Sequence, residues 1–285
     1  MNTQGGKKMH KNLINHSTLK FTPDFPGLRG VTLFASDYPI EPFLVFTEYR
    51  MDRPVFGPHP HAGISVMTYL LPDSQDSFIN RDSQGDFSII EPGGLHITQA
   101  GSGIQHDEFP KTTGIETHGF QIWINHADKD RLVPPKALHA KAHEIAEITT
   151  ACYTVRVVHG SYKGKTSAYK MVTAVTLLHI FLQPNQNIVL DAQEMAFVYV
   201  LKGSGETAGV KVSPQNLVNY AATGTVVEMQ AAADGCEFMF ATGIPHNEPI
   251  TYGGPFVMTT PEQMAETKRR YARGEMGKLE RYQPE

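Results

Sequence analysis

The feature that most constrains this chain is a pair of short segments. Phe56-Gly-Pro-His59-Pro-His61-Ala-Gly63 and Gly103-Ile-Gln-His106-Asp-Glu108-Phe-Pro110 each set two metal-type ligands two residues apart. Both are flanked by alternating apolar residues that read as strand, and in a strand residues i and i+2 point to one face. His59 and His61 are therefore expected to face one cavity, with His106 and Glu108 facing it from a second strand. Three neutral imidazoles and a carboxylate on a β scaffold suit a divalent first-row metal: Fe, Mn, Co, Ni, Zn or Cu. On a five- or six-coordinate ion they leave one or two positions open to other ligands.

The rest of the chain supports a loop-rich β protein. Its 285 residues fit one large domain or two ordinary ones, and 25 Gly with 19 Pro imply many turns. A formal net charge of −4 announces no surface for nucleic acid or anionic membrane. Cys152 and Cys236 lack CxxC spacing and read as ordinary thiols in a reducing compartment. The polar start carries no signal-peptide core, and no apolar run reaches the ~18 residues of a membrane span. A cytoplasmic location is expected, with no membrane and no direct nucleic-acid partner.

Short apolar bursts separated by Gly and Pro predict many strands. Phe43–Met51 places Val45, Thr47 and Tyr49 on one face and Phe46 and Glu48 on the other. Ser65–Leu71, Phe87–Ile90, Leu95–Ala100 and His118–Asn125 continue the series, with turns at Asp82–Asp86 and Glu91–Gly94 and a bend at Gly101-Ser-Gly103. Residues 1–16 read as a loose leader and 128–135 as a linker. The division expected is a first barrel over 17–135, a second over 136–259, and a helix and tail over 260–285.

Laying Phe197–Gly203 over Val66–Pro72 makes the second barrel a copy of the first, with Leu190 and Ala192 where His59 and His61 stand. His246 and Glu248 faintly echo His106 and Glu108, and two ligands without the other pair read as polar surface residues. At the end, Thr260 can cap a helix, Pro261 suits its first position, Gln263 completes a capping box and Gly274 can terminate it. Its basic run, Lys268–Arg270, reads as a solvated face. His96, between apolar residues, reads as a core or cavity-wall histidine. His118 is a candidate to orient a ligand from behind.

Taken together, His59-Pro-His-Ala-Gly with Thr-Tyr-Leu-Leu, Asp82-Ser-x-Gly, Ala100-Gly-Ser-Gly-Ile-x-His-x-Glu-x-Pro and His118-Gly-x-Gln-Ile-Trp-Ile-Asn125 resemble the pirin family. Asn247-Glu-Pro-Ile and Gly254-Pro-Phe-Val-Met-Thr-Thr resemble its C-terminal signature. The resemblance implies a bicupin, all-β, with two cupin barrels, a C-terminal helix and metal in the first barrel only. It places the ligands on His59, His61, His106 and Glu108. It also implies either a quercetin 2,3-dioxygenase-like enzyme or a redox-responsive, metal-binding regulatory protein without turnover and with a protein partner. For the enzyme, Fe(II) is the expected ion, a small aromatic or enediol molecule and O2 the substrates, and Glu108 a catalytic base. Ala62, Ser102 and Ile97 stand where the family typically has Arg, Arg and Trp, which predicts an altered cavity wall. A metal-free structural barrel is the third alternative.

Overall fold

A computed structural model describes residues 8–282; the stretch 1–7 of the expected leader lies outside the described residues. Strands dominate, because β-branched and aromatic residues recur with a period of two between Gly and Pro turns. In the first half, a seven-stranded sheet runs in the order Lys136–Ala140, Leu95–Gln99, Ile64–Leu70, Thr117–Asn125, Phe43–Met51, Leu28–Phe34, Thr22–Phe25. A four-stranded sheet, His59–His61, Ile104–Pro110, Phe78–Asp82 and Phe87–Ile90, completes the first barrel. The second half is built on one nine-stranded sheet whose long members are Met195–Thr207 and Val226–Gly243. The architecture is the expected one: all-β, two cupin-type barrels and one C-terminal helix, Pro261–Ala272.

Alternation decides which side chains reach the site. Along Phe43–Met51, Val45, Thr47 and Tyr49 line a cavity inside the first barrel. Phe46 and Glu48 point the other way, toward the second barrel. There Phe46 meets Phe197 edge-on with ring centroids 5.1 Å apart, and Phe120 meets Tyr199 at 6.1 Å. A single apolar core that includes Leu33, Phe46, Ile97, Ile122, Leu177, Tyr199 and Met239 fuses the two barrels. The interior of the second barrel is filled by Val155, Leu178, Ile180, Leu190, Val198, Phe238 and Phe240.

Three expectations about chain organisation need correction. Residues 13–16, read as loose leader, belong to the strand Leu13–Thr18, which pairs with Asn216–Tyr220 at the edge of the second barrel's sheet. Its polar side chains hid it. Backbone pairing satisfies an edge strand whatever its side chains, and Asn15 adds a hydrogen bond to Asn219 at 3.1 Å. The division at 135/136 also fails, since Lys136–Ala140 pairs with Leu95–Gln99 in the first barrel's sheet. The expected linker is not a tether: Arg131 is 1% exposed and donates to Gly63 O, Asn125 Oδ1 and Val257 O.

The helix begins and ends as expected. Thr260 accepts from Gln263 N, Pro261 opens the first turn, and Gly274 follows the cap residue Arg273 at φ +78°. Glu266 and Glu275 pair with Arg269 and Arg273, while Arg270 also turns inward to donate to Ser102 O at 2.8 Å. Beyond the helix the chain crosses the outside of the four-stranded sheet. Ser83 donates to Met276 O and Gln105 to Gly277 O. Among the described residues no helix is long and apolar enough to cross a membrane.

Candidate metal centre

His59 and His61 stand on the short strand His59–His61, which pairs with Ile104–Pro110 so that His106 lies directly opposite His59. The ligand nitrogens of His59, His61 and His106 all lie within 4.8 Å of one another. Their ring centroids are 4.6–5.0 Å apart. Each ring is held from behind through Nδ1: His59 to Gly57 O at 2.9 Å, His61 to Pro255 O at 3.1 Å, and His106 to Asn80 Oδ1 at 3.3 Å. A carbonyl oxygen only accepts, so in a neutral ring the proton sits on Nδ1 and the Nε2 lone pair is free. The Nε2 atoms of His59 and His106 are 3.1 Å apart, a separation that two ligands about 2.1 Å from one ion span as neighbours. Burial lowers the pKa of all three, with His61 brought to about 3, and at His61 and His106 the neighbouring rings add to the effect. They remain neutral at pH 7, the state a metal needs. The donor set and its anchoring therefore fit a divalent transition metal.

Glu108 shares the inner face of its strand with His106 but does not join the imidazole cluster. Its Oε1 accepts from Thr68 Oγ1 and its Oε2 from Gln121 Nε2, both at 2.6 Å. Burial pushes its pKa up to about 7 against the pull of those two hydrogen bonds. Glu108, His59 and His61 look onto one cavity of about 600 Å³, walled mainly by Phe25, Phe34, Phe56, Phe78, Trp123 and Tyr252, while His106 is fully buried and not part of its lining. Trp123 meets His61 edge-on at 4.9 Å. Gly63 makes the approach of the C-terminal segment possible: at φ +78°, a Cβ there would lie 1.8 Å from Val257 O.

The pirin family model matches residues 34–124, and the model of the pirin C-terminal cupin domain matches residues 177–277. A pirin-like protein of Arabidopsis thaliana is 33% identical over 254 residues, spanning 84% of this chain and 80% of its own. This chain belongs to the pirin family. Human pirin is 29% identical over 234 residues, 80% of each chain. A crystal structure of quercetin 2,3-dioxygenase from Acinetobacter baumannii superposes on this chain with a TM-score of 0.85 at 24% identity. It covers 95% of this chain and 100% of its own. The Escherichia coli pirin YhhW in complex with nickel(II) gives a TM-score of 0.64 at 19% identity, over 81% of this chain and 99% of its own. Likeness at these identities shows the bicupin fold.

Most of the remaining candidates lie away from the imidazole cluster. His96 is fully buried on the inner wall, with neither ring nitrogen hydrogen-bonded, and burial lowers its pKa to about 4. His118 does not stand behind a ligand. It faces the second barrel, where Nε2 lies 2.7 Å from Glu48 Oε1 and Nδ1 lies 3.6 Å from Asp73, while Tyr199 donates to Glu48 Oε2. Ala62, Ser102 and Ile97 are not cavity wall, because alternation turns Ala62 and Ile97 away from their inward neighbours. Ala62 packs on Phe256, Met258, Met264 and Met276, and Ile97 joins the core between the barrels. His246 bonds Asn125 O and Glu248 accepts from Asp128 N, so both tie a loop to the first barrel. Leu190 is core in the second barrel.

Sequence reasoning missed the residues that orient these side chains: Gly57, Asn80 and Pro255 behind the imidazoles, and Thr68 and Gln121 on Glu108. Thr68 and Gln121 were within reach of the alternation rule, lying on inward positions of their strands. Pro255 was visible only as part of the C-terminal signature.

Proposed function

We propose that this pirin-family protein is a metal-dependent dioxygenase of the quercetin 2,3-dioxygenase type, opening the ring of a flavonol or enediol-like substrate with O2. The observation that carries the reading is a cluster of three imidazoles anchored through Nδ1, two of which, His59 and His61, line an apolar cavity of about 600 Å³, a size suited to a planar small molecule. Fe(II) is the proposed ion, held by His59, His61 and His106, with Glu108 as a fourth ligand or as a base. When bound, a redox-active divalent metal supplies the electron transfer that lets a closed-shell organic molecule react with dioxygen.

The chain's own part is binding, orientation and proton handling. Phe56, Phe78 and Trp123 offer rings against which a planar substrate packs. Glu108 stands in the same cavity with lone pairs left after its bonds to Thr68 and Gln121, placed to accept the proton of a substrate hydroxyl. The apolar wall keeps bulk water from that proton transfer.

The test is anaerobic loading with Fe(II), then oxygen uptake and absorbance with quercetin, comparing wild type with His61→Ala. Metal-dependent uptake that disappears in the variant is the expected result. Stoichiometric metal with no uptake across a panel of flavonols and enediols overturns the dioxygenase reading in favour of a regulatory protein. Glu108→Gln is expected to abolish turnover while retaining metal, and full turnover by that variant removes the base role.

A further inference from the structure

The anchors of the three imidazoles are not alike. His59 and His61 each donate to a backbone carbonyl, which cannot reverse its polarity. His106 depends on a side-chain amide, that of Asn80, fully buried on the strand Phe78–Asp82. An amide has a carbonyl end and an NH2 end of nearly equal size, so the anchor works only if something decides which end faces the ring. On the far side of Asn80 is Asp86, at the close of the turn Asp82–Asp86, with Asn80 Nδ2 donating to Asp86 Oδ2 at 3.2 Å. The carboxylate is itself fixed: Ser88 Oγ donates to both of its oxygens at 3.0 and 2.9 Å, and its backbone N–H donates to Asp82 Oδ1 at 3.0 Å.

We infer that Asp86, acting through Asn80, is a positioning residue that selects the metal-binding tautomer of His106. A carboxylate accepts only, so it demands the NH2 end of Asn80. The carbonyl end then faces His106 Nδ1 and demands a proton there. With Nδ1 protonated, the Nε2 lone pair points at His59 and His61 and is free for an ion. Reversed, the amide would offer N–H to Nδ1, drive the ring proton onto Nε2 and close that ligand position. The other polar neighbour of His106 Nδ1, Thr98 Oγ1 at 3.5 Å, is a hydroxyl that rotates to donate or accept and selects nothing. His96 Nε2 lies 4.0 Å from the same Asp86 oxygen. Its burial keeps it neutral, so the carboxylate's charge is left to the amide. The turn that sequence marks only as a change of direction thereby becomes part of the metal site.

The inference rests on His106 being a ligand, and its test separates the two claims. Asp86→Asn keeps the shape but can present either end to Asn80. In metal-free protein, nitrogen-15 NMR of the histidine side chains reads the tautomer directly. Wild type is expected to show His106 protonated on Nδ1, and Asp86→Asn a mixture. Cobalt(II) titration against a competing chelator is expected to show affinity reduced about 10- to 100-fold in the variant, with Asp86→Glu recovering part of the loss. An unchanged His106 tautomer in Asp86→Asn, with cobalt affinity within about twofold of wild type, overturns the inference. If wild type takes up no cobalt, the ligand reading fails, while the tautomer measurement still judges the role of Asp86.

Discussion

The two barrels share a fold and use their interiors oppositely. The second is filled by a continuous cluster of 19 buried residues, nearly all aliphatic or aromatic. Among the described residues the first barrel has only smaller apolar clusters, one of six, Leu28, Tyr49, Met51, Leu70, Phe78 and Ile90, and one in which Leu44, Ile64 and Val66 meet Val257. Around these the first barrel buries Thr68, Asn80, Asp82, His96, His106 and Glu108. A buried polar group left unpaired costs about 1–3 kcal/mol, and an empty cavity forfeits packing besides. A barrel built this way is poorly placed to hold itself together. The second barrel and the shared core supply what it lacks, leaving the first free to keep an open, polar interior.

The largest effect expected from this contrast is on metal. His61→Ala should lower bound metal from one ion per chain to none, measured by elemental analysis. Saturating metal should stabilise wild type, by about 2.7 kcal/mol at one hundred times Kd, and leave the variant unmoved. Stoichiometric metal in the variant would mean that the polar interior serves some other purpose. Next, Phe238→Ala in the filled barrel should cost about 3–5 kcal/mol in denaturant unfolding while metal stoichiometry stays unchanged. Loss of metal from the folded variant would show that the barrels do not divide the labour.

The seam between the barrels gives a smaller, pH-dependent effect. Burial works against charge on His118, but its hydrogen bonds to Asp73 and Glu48 prevail and its pKa is raised. The stabilisation is fully present below the ordinary histidine value of ~6.5 and is lost as pH rises through the raised one. His118→Gln should therefore be less stable than wild type in mild acid, with the gap narrowing toward alkaline pH in urea titrations. A gap that widens with pH would reverse the assignment of charge. The smallest effect is at the helix: Thr260→Ala should cost about 1 kcal/mol, seen as faster hydrogen exchange in Pro261–Ala272.

Much of this was legible because it is local. Two pairs of candidate ligands at strand spacing put His59, His61, His106 and Glu108 on inner faces, where the three imidazoles cluster, and Thr260, Pro261, Gln263 and Gly274 delimited the helix almost to the residue. Alternation alone would also have excluded Ile97 from the cavity wall, since its neighbours His96 and Thr98 point inward. What escaped was long-range. Leu13–Thr18 is a strand because Asn216–Tyr220 offers it an edge some 200 residues later. Arg131 is buried because carbonyls of Gly63 and Val257 surround it. Hydrophobic periodicity reports how a segment divides between core and solvent, and it is silent about which distant backbone completes it.

That dependence has a temporal side. The carbonyl that aims His61 belongs to Pro255, 194 residues further along the chain. At about 5–20 residues per second, a ribosome delivers it roughly 10–40 s after His61 has been made. Until then the first barrel has its three imidazoles, with one of them unaimed. The imidazole cluster is thus begun early in synthesis and finished late, since the backbone that orients one of its rings arrives only with Pro255.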